Sequence, residues 1–176
     1  TLAGRIHNWD KSCDKQLGRL VGYLAKTVNK SLVMLIKLAD TIDDLAALLQ
    51  ADANLQIPRP LSGWILGVWS KKGSWCPVIF GAKLQTIAAD STPLSELIST
   101  VASVKDAMLV GHFINDFVLL KHEQPLAVEN DKSEVIRLGR RGASTKLGLC
   151  SRAVGLRMSL LRDLIYRRMI ALAHVP

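Results

Sequence analysis

Cysteine is scarce in this sequence, at 3 of 176 residues. Cys13, Cys76 and Cys150 lie far apart, with no C-x-x-C pair, and none of the 4 histidines stands at metal-ligand spacing beside them. That excludes a cysteine–histidine zinc site. An odd number of scattered cysteines points to free thiols and to a reducing, intracellular compartment. Long hydrophobic runs are also missing. Leu32 to Leu38 has Lys37 inside it and is far too short to cross a bilayer, and Ala107 to Leu120 carries His112, Asn115 and Asp116. No membrane span is expected. There is no G-x-S-x-G elbow, so Ser91, His112 and Asp116 do not read as a nucleophilic triad, and His112 reads as a structural histidine. Gly139-Arg140-Arg141-Gly142 lacks the Lys-Ser/Thr ending of a phosphate-binding loop. Internal repeats and long linkers are absent. So is an initiating Met, and His174-Val175-Pro176 does not resemble a natural stop, so a fragment of a longer chain is expected.

What is present is a chain 49% hydrophobic and 22% charged, enough to bury the core of one soluble globular domain. Its 23 Lys and Arg outnumber its 15 Asp and Glu, giving a net charge of +8. The excess is local. From Arg137 to Arg168 there are nine basic residues and one acid, and the rest of the chain is balanced. Such a stretch suits a polyanionic partner such as nucleic acid. A solvated helix face that keeps the protein soluble would look the same.

Apolar spacing predicts a helix over Lys15–Thr27, with Leu17, Leu20, Val21 and Leu24 on one face. A strand is expected over Ser31–Leu38, a turn over Asp40–Asp44 and an apolar run over Leu45–Ala51. Pro58 and Pro60 make Leu55–Leu61 a loop. Trp64–Trp69 and Ser74–Phe80 form a hairpin about Lys71-Lys72-Gly73. Trp64 is expected to pack inward, and Trp69 or Trp75 to pack at the core or edge unless exposed to stack a base. Ser91 or Thr92 caps a long helix with Pro93 in its first turn. That helix carries Leu94, Leu97, Ile98, Val101, Val104 and Leu109 toward Phe117, with a break expected at Gly111. Leu126–Glu129 reads as a strand, and Asp131 as the cap of a short helix ending at Leu138. Gly139–Gly148 reads as a basic loop. Ser151–Arg168 reads as a helix with Val154, Leu156, Leu160, Leu161, Leu164 and Ile165 inward, and Met169–Val175 as a closing strand. This order predicts one mixed α/β sheet flanked by helices.

Several motifs narrow the reading. Asp14 to Leu24 reads D-K-Q-L-G-R-L-V-G-Y-L, and Ala51-Asp52-Ala53-Asn54 ends the first core strand. Ser62-Gly63-Trp64, Ser91-Thr92-Pro93-Leu94-Ser95-Glu96, Asn130-Asp131-Lys132-Ser133-Glu134-Val135 and Leu161-Arg162-Asp163-Leu164-Ile165 follow in order. In this order and spacing the chain resembles the C-terminal part of a copia-type retrotransposon polyprotein, the end of a reverse transcriptase followed by a ribonuclease H domain. The resemblance implies a connection segment over residues 1–40. It also implies a ribonuclease H-like domain over 41–176, with a mixed five-stranded sheet and an N-terminal helix–strand extension, stopping before the family's last helix.

It further implies a function. Ribonuclease H-type cleavage of RNA–DNA hybrids uses divalent ions held by four acids, and magnesium wants hard oxygen ligands. Asp52 matches the first acid and Glu96 the second. Asn130 takes the third position, where a carboxamide adds no charge, with Asp131 one residue beyond it and, by strand alternation, on the opposite face. The fourth acid lies past the end of the sequence, and Ala153-Val154-Gly155 stands where the family tends to have His-Ile-Asp. The expected catalytic set is Asp52, Glu96 and Asp131. The expected magnesium ligands are Asp52, Glu96 and Asn130, with Mg2+ the cofactor if the site functions. Arg137, Arg140, Arg141, Lys146 and Arg152 would contact an RNA–DNA hybrid or other nucleic acid. Cleavage is expected to be impaired. The alternatives are a degenerate copy without hydrolysis and a non-catalytic structural or interaction subunit of a larger assembly.

Overall fold

A computed structural model describes residues 3–31, 33–55, 59–86, 89, 91–143 and 152–175. The chain divides into two compact units, Thr1–Val33 and Met34–Pro176. In the first, a 3-10 turn, Ala3–Asn8, precedes helix α1, Lys11–Thr27. Asp10 caps α1 by accepting the Cys13 N–H at 2.8 Å, so the helix starts four residues before the apolar spacing predicts.

The second unit contains the sheet. Its strands are β1 (Ala46–Asn54), β2 (Leu61–Trp69), β3 (Trp75–Leu84), β4 (Leu126–Asn130) and β5 (Ile170–His174), in the spatial order β3-β2-β1-β4-β5. β1, β2 and β3 form an antiparallel meander, and β4 and β5 add in parallel. Helices α2 (Thr92–Phe113), α3 (Ser133–Arg141) and α4 (Arg152–Tyr166) flank it. The mixed five-stranded sheet with flanking helices that the ribonuclease H resemblance implies is present.

Among its described residues, the segment expected to be a strand, Ser31–Leu38, forms none. It makes a single antiparallel bridge, Leu35 with Trp75, through paired backbone bonds of 3.0 and 2.8 Å. Two residues along β3, Pro77 has no N–H to extend the ladder. On the other side the Lys37 N–H goes to Ser74 Oγ, and the chain turns at Lys37–Asp40. Asp40 then accepts the hydroxyls of Ser70 and Ser74, which ties this segment to the hairpin tip.

Leu49 of β1, Leu66 of β2, Leu126 and Val128 of β4 and Ile170 of β5 pack against Leu97, Val101 and Val104 of α2 and Leu161 of α4. Two residues expected inside are outside. Leu109 is 81% exposed and Leu156 is 62% exposed, while Met158 takes the inward place on α4. α2 does not break at Gly111. It runs on to Phe113 and then widens into a π-turn, Ile114–Val118. Gly111 faces Leu126, and a Cβ there would come within 2.7 Å of its side chain, so the glycine sets how closely helix and strand approach. By length and composition alone, Thr92–Val118 is apolar enough to cross a membrane. Here it is the central helix over the sheet.

α3 also ends differently from expectation. It continues to Arg141 and stops at Gly142, whose φ of 71° is left-handed and whose N–H bonds Leu138 O. A Cβ on Gly142 would sit 2.4 Å from Arg162 Cδ on α4. Gly142→Ala is expected to cost about 1 kcal/mol, from the left-handed backbone and the contact together. Chemical denaturation with an unchanged m-value checks this.

Candidate metal centre

The motif residues meet at the C-terminal ends of β1 and β4. Carboxylate oxygens of Asp52, Glu96 and Asp131 lie within 4.8 Å of one another. Asp52 is exposed on β1 and Asp131 is exposed just past β4, while Glu96, in the first turns of α2, is 1% exposed. A pocket of about 280 Å³ opens here, with Gln50, Asp52, Glu129, Asn130 and Asp131 in its wall.

Strand register explains how Asp131 joins Asp52. β1 and β4 run parallel with Gln50 opposite Glu129, and these two side chains share a hydrogen bond of 2.9 Å. Asp52 stands two residues further along β1 and Asp131 two residues past Glu129, just beyond the end of β4, and there the two carboxylates come together. Alternation along β4 alone turns Asp131 away from Asn130. It does not turn it away from Asp52.

Asn130 faces α2. Its Nδ2 donates to Glu96 Oε2 at 3.1 Å, to Ala51 O at 3.1 Å and to Thr100 Oγ1 at 3.3 Å. Its Oδ1 accepts the Lys132 N–H at 2.9 Å. In this arrangement Asn130 offers Glu96 a donor, and its oxygen is taken by the Lys132 N–H. The turn after β4 is held further by His174 Nε2, 3.0 Å from Asp131 O, and by Val175 N–H on Asn130 O. Asp131 does not cap α3. Lys132 is the residue at the cap position, with no side-chain cap bond.

Gln85 ties down Ser95, the residue before Glu96. Its amide nitrogen donates to Ser62 Oγ on β2 and to Ser95 O on α2, at 3.0 and 2.8 Å. That fixes the first turn of α2 against the hairpin. Burial pushes the Glu96 carboxyl up to about 7, with the neighbouring Asp52 and Asp131 charges adding and the Asn130 and Ala53 N–H bonds opposing. Lys132 Nζ lies 2.6 Å from Asp131 Oδ2. That bond raises the ammonium above its usual range, and the Glu96 and Asp52 charges act in the same direction. Neither Gln85 nor Lys132 stands out in the sequence, because each matters only through where the fold puts it.

Three hard carboxylate donors at this spacing fit a divalent cation such as magnesium or manganese. Asn130 supplies no charge toward a second one.

Other candidates fall elsewhere. Ser91 and His112 stand at opposite ends of α2, about 30 Å apart along its axis, so no triad assembles. Trp64, Trp69 and Trp75 are all half-buried. Trp64 lies over Gly81 and Trp75 over Gly67, so both rings are used in packing. Arg137, Arg140 and Arg141 are exposed on α3 and Arg152 at the start of α4. Lys146 lies outside the described residues. α3 starts directly after Asp131 and Lys132, so Arg137 stands about one turn beyond the acids. The Arg162 stem packs on Gly142 at the far end of α3, continuing the basic surface onto α4.

No family model matches the chain, and no curated protein matches it. Solved structures do. They include the ribonuclease H1 of the halophilic archaeon Halobacterium salinarum, at 15% identity and a TM-score of 0.46, covering 74% of this chain and 86% of that one. LC11-RNase H1, isolated from compost by a metagenomic approach, matches at 12% identity and a TM-score of 0.49, covering 74% and 84%. That protein is also known in complex with an RNA/DNA hybrid. The RNase H domain of PFV, the prototype foamy virus, matches at 12% identity and a TM-score of 0.44, covering 75% and 79%.

Proposed function

We propose that this chain is the ribonuclease H-like domain of a copia-type retrotransposon polyprotein, with residues 1–40 the end of its reverse transcriptase. In this reading it binds RNA–DNA hybrid or other nucleic acid beside a magnesium site too poor in charge for efficient cleavage. The observation that carries the reading is the convergence of Asp52, Glu96 and Asp131 from three separate elements. The motif order along the chain supports the copia-type assignment.

When bound, divalent metal in such a site activates the attacking water and stabilises the leaving oxygen. Asp52 and Asp131, both exposed, would hold it from the sheet end. Glu96 would complete the set from α2 after giving up its proton. Asn130 keeps Glu96 aimed at the site but contributes no negative charge, and Lys132 cancels part of what Asp131 brings. Both effects weaken cation binding, which is the physical case for impaired turnover. Arg137, Arg140, Arg141 and Arg152 would track the phosphate backbone along α3 and into α4.

The test is hybrid binding and cleavage in magnesium or manganese, beside Asp52→Asn. Binding is expected to fall steeply with salt, and the phosphate contacts set the slope. Cleavage is expected to be slow and to disappear in Asp52→Asn. Turnover near the common enzymatic range of about 1–1,000 per second would refute the impairment. Salt-insensitive binding, or none, would refute the nucleic-acid reading and favour a structural subunit.

A further inference from the structure

The cluster has a cation of its own. Among the described residues, the ion pairs are Lys72–Asp44, Lys132–Asp131 and Arg167–Asp163, and only the second touches a member of the cluster. Lys132 is not a loose surface lysine that happens to pass by. Its N–H is fixed by Asn130 Oδ1 at 2.9 Å, and its carbonyl accepts the Val135 N–H at 3.0 Å as α3 begins. The backbone on both sides therefore sets where the side chain starts. The ammonium it carries reaches Asp131 Oδ2 at 2.6 Å and lies within the field of Asp52 and Glu96 as well. An oxygen accepting an ammonium at that distance has less to offer a metal ion, and the two cations would repel each other across a few ångströms.

We propose that Lys132 is the resident counter-ion of the Asp52–Glu96–Asp131 cluster, and that a divalent cation binds only by displacing its ammonium from Asp131. This rests on reading the cluster as a metal centre. The pair is partly exposed, and such pairs are weak, so the lysine raises the concentration of metal the site needs without closing the site. The freed side chain has solvent, or the phosphates of a bound nucleic acid, to move into. Metal and polyanion would then bind cooperatively, because the polyanion gives the displaced ammonium a partner.

The test is calorimetric titration of the whole chain with manganese, with no nucleic acid and no activity readout. Lys132→Met and Lys132→Gln are expected to bind about tenfold more tightly than the native chain, because one partly screened like charge has gone. Lys132→Arg keeps the charge and is expected to show no gain. Adding Asp52→Asn to Lys132→Met is expected to abolish the gain. If Lys132→Met binds manganese no more tightly than the native chain, while Asp52→Asn still weakens the native chain, the centre stands and the counter-ion role is overturned. If no variant binds manganese, the metal-centre reading falls and the displacement falls with it. Circular dichroism of each variant checks that the fold is intact.

Discussion

Asn130→Asp is expected to destabilise the metal-free protein at pH 8 by about 3 kcal/mol, the usual cost of a buried charge left without a partner. Asn130 is 2% exposed and spends its amide nitrogen on Glu96, Ala51 O and Thr100. A carboxylate there donates nothing, so Ala51 O loses a partner and Glu96 faces a second negative charge. The same change adds the charge a divalent cation wants. Manganese is therefore expected to restore the variant's melting temperature in full and to bind it at least tenfold more tightly than the native chain, an effect of more than about 1.4 kcal/mol. Hybrid cleavage should rise with it. Thermal melts with and without manganese, together with a cleavage assay, check all three. A variant that is destabilised and not rescued by metal would mean that Asn130 serves only packing.

Glu96 predicts a pH dependence of opposite sign to that of ordinary carboxylates. Its folded value of about 7 lies above the usual 4.5, with burial the largest cause. The folded state therefore holds this proton more tightly than the unfolded state. The stabilisation is fully present below about pH 4.5 and is lost as the pH rises through about 7. Glu96→Gln removes the ionisation, while its side-chain oxygen still accepts from Asn130 and the Ala53 N–H. At pH 8 without metal this variant is expected to be more stable than the native chain by about 3 kcal/mol, an upper figure for a shift of this size. The difference should shrink toward zero near pH 4.5. Urea denaturation across pH 4.5–8.5 measures it, and a gap that does not change with pH would refute the assignment. Manganese should reverse the order at pH 8, because the native carboxylate can trade its proton for the cation.

Much of this site was legible in local sequence. The Ala51–Asn54 motif, the Ser91-Thr92-Pro93 helix start and the tight hairpin at Lys71–Gly73 are short-range features, and each lies at the element end its residues suggest, although Ser91, at the cap position of α2, makes no side-chain cap bond. What was not legible depends on partners far along the chain. The side on which Asp131 emerges is set by the parallel register of β4 with β1, which brings Gln50 to Glu129 across 79 residues. Asn130 could equally offer an oxygen or an N–H, and only the pairing with Glu96 and Lys132 decides which group faces the site. The strand expected at Ser31–Leu38 has a suitable apolar pattern, but Pro77 on its partner ends the pairing. Leu156 stands two residues from both Val154 and Met158, about 200° around α4 from the buried face, and Leu109 stands five residues past Val104, so neither shares the face that packs on the sheet.

The bridge between Leu35 and Trp75 has a consequence for association. β3 is an outer strand of ten residues carrying Val78 and Phe80 exposed, and an uncovered strand of that length is a template for pairing with another chain. The segment around Leu35 takes the bonds at its first residue, and Asp40 holds that segment down through two serine hydroxyls. Pro77 interrupts the donors two residues further on, and Lys83 adds a charge near the far end. The opposite outer strand, β5, has only five residues. Strand addition at the start of β3 is thus blocked, and the short β5 offers little edge on the other rim.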